Sequence, residues 1–156
     1  MFHPIRHIER QSESAAAFYG FLAGALLGLL TAAYVLATLL IHRDRVLQEL
    51  AQATARFGAA LPAPRLYLVA LVVTPPVVLV IHVFMGMFYG DLMARWKQLS
   101  TAKVLLSCVA LGAGFGLITN TPAPRAMTFA FTLIAWQVFG VAFVLLNRLR
   151  SKPHHA

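Results

Sequence analysis

His82 is the residue in this chain whose type and position come closest to chemistry. It stands deep in the apolar stretch LYLVALVVTPPVVLVIHVFMGMFYGDLMAR, which runs from Leu66 to Arg95. An ionisable group inside such a segment is expensive to bury, so its presence there points toward function. Neutral imidazole costs less than a fixed charge, and three roles are open to it. It can make an interhelical hydrogen bond, to Gln137 or to a freed backbone carbonyl. It can contact a ligand such as a quinone or a haem, because Gly86 on the same helical face leaves space for a flat ring. It can also take part in proton or ion transfer.

Its neighbours add little reactive machinery. Met85 and Met87 carry soft thioethers suited to copper(I). They stand two positions apart, so on a helix they diverge, and a packing role fits them better. Asp91 lies nine residues beyond His82, roughly 13 Å along a helix axis. It is too far to pair with the histidine and is spaced for an (i, i+4) contact with Arg95. Cys108 is the only cysteine, which excludes an intrachain disulfide and fits a small buried packing residue. No HExxH, phosphate loop, dinucleotide fingerprint or nucleophile elbow occurs. The five acidic residues all lie away from the middle of apolar runs, which leaves little for general acid–base work. A non-enzymatic protein is expected, with no metal site.

The run His82-Val83-Phe84-Met85-Gly86, with Asp91 further on, resembles the haem-ligand helix in membrane anchors of succinate dehydrogenase. The resemblance covers one short segment and rests on one histidine, and the number of spans differs. It implies a haem b or quinone contact at His82. A self-contained bis-histidine haem needs a second intramembrane histidine, and His42 sits at a membrane boundary. Any such cofactor would therefore be shared with a partner chain.

The elements that must position these residues are set by composition. Hydrophobic residues make up 60% of the 156 positions and charged residues only 12%, against the roughly 25% charged of a soluble domain. The charges cluster at the ends of long uncharged windows, the pattern of lipid-facing helices. The net charge of +8 forms no basic stripe interleaved with aromatics, so nucleic acid is not an expected partner. A single all-α membrane domain over 1–156 is expected, with four transmembrane helices in two helical hairpins.

The spans fall at about 15–41, 66–94, 104–118 and 126–146. The first is too long for a signal-peptide core and should stay as an anchor. Ser12 or Ser14 is suited to cap it, with the preceding residues as a short interfacial turn. In the first span Gly20, Gly24 and Gly28 share one face. Such a face packs closely within the chain, against a second copy or against another subunit. Residues 43–61 form an amphipathic connector, with Val46, Leu50, Thr54, Phe57 and Leu61 at helical spacing. Gly58 and the Pro62/Pro64 pair should end it.

Pro75 and Pro76 deprive the carbonyls of Leu71 and Val72 of their usual donors and predict a kink, with Thr74 as a nearby hydroxyl. Gly86, Gly112, Gly116 and Gly140 are further small packing positions, and Gln137 is an intramembrane polar group in the fourth span. Trp96 and Lys97 mark an interface, and the tail around His154-His155 is expected to be disordered. The two halves share a plan of a glycine-rich span followed by an aromatic one, which an internal repeat or chance would both produce.

With four spans, one side holds Arg6, Arg10, Arg95, Lys97, Lys103, Arg148, Arg150 and Lys152, and the other Arg43, Arg45, Arg56, Arg65 and Arg125. This bias of eight to five favours cytoplasmic termini, as in a bacterial inner membrane. Packing faces without reactive groups lead first to an accessory, assembly or scaffold subunit of a larger inner-membrane complex. Its expected partners are the lipid bilayer and other membrane subunits, or further copies of itself. A haem- or quinone-contacting anchor comes second, and a small oligomeric transporter or channel around Pro75-Pro76 third.

Overall fold

A computed structural model describes residues 5–57, 61–95 and 100–150. It contains five helices: α1 (Ile5–Ile41), α2 (Arg43–Phe57), α3 (Ala63–Arg95), α4 (Thr101–Ile118) and α5 (Arg125–Arg150). No strand occurs among the described residues. Four segments are long and apolar enough to cross a membrane, namely Ala15–Ile41, Ala63–Arg95, Thr101–Ile118 and Arg125–Arg148. Gly58, Trp96, Lys97 and the histidine tail lie outside the described residues.

Helix boundaries differ from the sequence expectation where local chemistry extends a helix. α1 starts at Ile5, so Ser12 and Ser14 fall inside it and not at its start. Extending an existing helix by one turn costs far less than nucleating one, and Arg and Glu in this stretch are good helix formers. α3 starts at Ala63, where the Pro62 carbonyl accepts from Arg65 N at 2.9 Å and Leu66 N at 3.2 Å. Pro64 then sits in the first turn, where its missing N–H costs nothing. Downstream, α3 runs as one continuous helix through Pro75 and Pro76. α4 starts at Thr101 because Ser100, at φ −87° and ψ 139°, accepts from the Lys103 N–H. Its 18 residues span roughly 27 Å, just short of a typical hydrocarbon core.

A single turn residue, His42, separates α1 from α2. The backbone nevertheless stays bonded across it, His42 N to Thr38 O and Val46 N to the His42 carbonyl, both at 3.0 Å. The apolar stripe of α2 is shorter than its spacing implied. Val46, Leu47 and Leu50 pack with Leu39, Tyr67 and Leu71, whereas Leu61 is past the helix end and exposed. The Tyr67 hydroxyl donates to the Leu39 carbonyl at 3.0 Å and ties α3 to the end of α1.

The most extensive contact in the molecule is between α1 and α3, followed by α4 with α5 and α1 with α5. The first contact is made backbone to backbone. A methyl group on Gly20 would strike the carbonyl oxygen of Gly86, and one on Gly86 would strike that of Gly20. At Gly24 it would meet the His82 carbonyl oxygen at 2.5 Å, and at Gly28 the Leu79 side chain at 2.9 Å. Gly90 lies likewise against the Ala16 carbonyl. Positions rise along α1 as their partners descend along α3, so the two helices run in opposite directions. Helices approach this closely only where neither carries a side chain at the crossing.

The α4–α5 contact has the same device with side chains on one side. Gly112 faces Leu133 and Trp136, Gly116 faces Phe129 and Thr132, and Gly140 faces Cys108. Gly114 faces open space. Between the two pairs sits an aromatic core. Tyr89 of α3 meets Phe139 and Phe143 of α5 edge-on, with ring centroids at 5.2 and 5.5 Å. Trp136 meets Phe139 at 5.4 Å. Edge-to-face pairs of this kind add about 0.5–1.5 kcal/mol each beyond simple contact.

Adding a methyl at a backbone-facing glycine should therefore force the helices apart. Gly20→Ala and Gly86→Ala are each expected to destabilise the folded chain by about 1–3 kcal/mol, the usual range for overpacking. Gly114→Ala should be neutral or stabilising, because it gains helix propensity and meets nothing. Thermal unfolding of the three variants in one detergent checks this ordering.

Candidate functional site

His82 lies on α3 and is half-buried. Its Nδ1 bonds to the Val78 carbonyl one turn earlier on the same helix, at 2.7 Å. A carbonyl oxygen can only accept, so Nδ1 carries a proton, and in the uncharged tautomer of this geometry Nε2 is an acceptor. His82 and Gln137 do not pair. The Gln137 amide instead donates to the Leu105 carbonyl of α4, at 3.4 Å. The expected interhelical bond from His82 is thus replaced by a local one, because the carbonyl of Val78 is in reach and Gln137 is turned toward α4. Its backbone carbonyl, not its ring, makes the close approach to α1 at Gly24.

His82 helps line a partly open cavity of about 240 Å³ among α1, α3, α5 and the end of α4. Its apolar wall includes Leu27, Val78, Phe115 and Trp136. Its polar wall is made of hydroxyls: Thr31 and Tyr34 from α1, Thr119 and Thr121 from the α4–α5 turn, and Thr128 and Thr132 from α5. Thr31 and Thr132 donate to carbonyls of their own helices, Leu27 at 2.8 Å and Phe129 at 2.9 Å. Thr128 is the hub of the others, bonded to the Tyr34 hydroxyl at 3.1 Å and to Thr121 at 2.6 Å. Tyr34 is held by stacking on Phe131, with centroids 3.9 Å apart and planes within 7°.

A volume of about 240 Å³ falls below the roughly 300–1,000 Å³ of sites that take drug-sized ligands. It accommodates a single ring and not a porphyrin. Thr128, Thr132 and Trp136 stand out in the sequence as polar or aromatic positions of the fourth span, but Tyr34, Thr31 and Thr121 do not announce themselves. The available signal was the i, i+3, i+7 spacing of Thr31, Tyr34 and Thr38, which sets three hydroxyls on one face of an otherwise apolar helix.

A second polar cluster lies toward the other end of the bundle. The Tyr89 hydroxyl is 2.6 Å from Ser107 Oγ and donates to the Val104 carbonyl at 3.3 Å, with Cys108 Sγ at 3.8 Å. Here every group is satisfied internally, so the cluster fixes α3 against α4. Met85 packs on the core while Met87 is exposed, so the two thioethers diverge. Asp91 pairs with Arg95 at 2.9 Å. Among the described residues, no three His, Cys, Asp or Glu side chains gather in a way that could hold a metal ion.

Comparisons with protein families, with curated proteins and with solved structures return no match to this chain. Function has to be argued from the geometry alone.

Cys108 gives a direct check on the core. It is fully buried between Tyr89 and Gly140. N-ethylmaleimide should leave it unmodified in the folded protein and label it completely after denaturation. Labelling of the native protein at the denatured rate would show that α4 and α5 are not packed as described.

Proposed function

We propose that this chain is a non-enzymatic integral membrane protein, an accessory, assembly or scaffold subunit of a larger complex in a bacterial inner membrane. In this reading two helical hairpins cross the bilayer four times and place both termini in the cytoplasm. Support for insertion comes from the outer surface. Leu29, Val72, Phe84, Phe88, Leu106, Leu117, Ile134 and Leu145 are all large, apolar and exposed. In water a surface of this kind would aggregate, whereas against lipid tails it needs no cover. Support for the orientation is the eight-to-five division of Lys and Arg between the two ends.

The observation that carries the subunit role is the outer face of α5. An open groove of about 490 Å³ runs along Leu133, Ile134, Val138, Val141 and Leu145, and its exposed surface is apolar. Gln137 turns its amide away from the groove to the Leu105 carbonyl of α4. Among lipid tails, a groove between apolar side chains is filled best by the side chains of a neighbouring helix. The glycine faces of α1 are already occupied by α3. The groove on α5 is therefore the face suited to another subunit's helix.

A photo-crosslinking amino acid at Ile134 or Val138 tests this in native membranes. The expected product is an adduct with a different membrane polypeptide. A product of twice the chain's own mass would replace the hetero-complex with a homo-oligomer. Lipid adducts alone, with the protein purifying as a single chain, would overturn the subunit role. Membrane insertion is checked separately: the protein should stay with the bilayer after alkaline carbonate washing and require detergent for release.

A further inference from the structure

We infer that the cavity beside His82 binds the ring of a membrane-dissolved hydroquinone, and that it prefers this reduced form over the oxidised quinone. The inference rests on the membrane-embedded reading above but does not depend on the partner proposed for α5.

Three features of the cavity lead to this class of ligand. The first is size, since about 240 Å³ holds one substituted six-membered ring and excludes larger cofactors. The second is the wall: Trp136, Phe115 and the stacked Tyr34–Phe131 pair provide flat aromatic surfaces around the space. The third is the presence of two separate sets of polar groups in its lining, His82 on α3 and the Tyr34–Thr128–Thr121 hydroxyls on α1, α5 and the intervening turn. A ring with an oxygen at each end matches that arrangement.

The preference for the reduced form follows from proton positions. The Nδ1 proton of His82 is committed to the Val78 carbonyl, so the neutral ring offers only the Nε2 lone pair to a ligand. No side-chain nitrogen or oxygen among the described residues is fully buried without a partner, and His82 is part of the cavity lining. A lone pair binds a hydroxyl of hydroquinone and repels a quinone carbonyl, which is itself only an acceptor. The hydroxyl cluster accepts either form. Tyr34, Thr128 and Thr121 have three hydroxyl protons and share two hydrogen bonds among themselves. One proton is therefore left to donate, and lone pairs remain to accept. On α3 the apolar, exposed Val77 and Ile81 flank Val78 and His82 and offer a path for an alkyl tail into lipid.

The test uses the full chain in lipid nanodiscs, with Trp96→Phe so that Trp136 is the single tryptophan. Decyl-benzoquinol and decyl-benzoquinone are titrated anaerobically against Trp136 fluorescence. Saturable binding of the quinol is expected, with the quinone about tenfold weaker, the size of one good hydrogen bond. His82→Leu should weaken quinol binding about tenfold and abolish the preference. Tyr34→Phe, in the hydroxyl cluster, should weaken both forms and serves if His82→Leu does not fold. A signal that rises linearly with ligand, equal affinity for the two forms, or indifference to both substitutions would overturn the site. Equal affinity for tail-less hydroquinone would overturn the membrane origin of the ligand. A chain that fails to enter nanodiscs would instead overturn the membrane reading itself.

Discussion

Direct contact between the backbones of α1 and α3 sets the distances on which the rest of the molecule depends. With Gly20 and Gly24 on one helix and Gly86 and Gly90 on the other, backbone meets backbone over about two turns. Among lipid tails there is no hydrophobic drive to hold helices together, so short-range dispersion and polar contacts must do it, and both fall steeply with distance. A single methyl in this seam would open it along its length. The seam also fixes how far the two helices tilt, and so where the remaining side chains of α3 can reach.

The consequences appear on the other face of α3. Because α1 takes the glycine face, Tyr89 is directed at Phe139 and Phe143 of α5 and at Ser107 of α4. That one side chain joins three helices, through edge-to-face rings and a hydroxyl satisfied on both sides. Farther along, large side chains give way to Val78, His82 and a set of threonines, and the packing opens into the hydroxyl-lined cavity. A tight seam at one position and a loose space at another are parts of the same arrangement. α3 lies closest to α1 and meets α4 and α5 chiefly through Tyr89.

This division also separates the polar groups by role. Those around Tyr89 are satisfied by one another, so they specify packing and offer nothing to a ligand. His82 and the Thr128 hub keep unused hydrogen-bonding capacity in a space large enough for a ring. Unused capacity inside an apolar envelope is costly, which points to a ligand at this place.

Much of the architecture was legible in the sequence, because apolar length and charge-free windows are properties of single segments. The four long apolar helices, the helical connector after His42 and the closeness of the small-residue faces need only local spacing. The N-terminal start of α1 was misplaced because a serine cap and a continuing helix compete on nearly equal terms, and neighbouring turns decide. The partner of each polar group was not legible. The ring of His82 turned to its own helix and Gln137 to α4, because each takes the nearest carbonyl once the backbones are fixed. The hydroxyls of Tyr34, Thr121 and Thr128, 94 and 7 residues apart in their pairings, meet only after α1 and α5 have packed. Segment character is written along the chain, whereas a site built from four elements exists only when tertiary contact brings their side chains to one space.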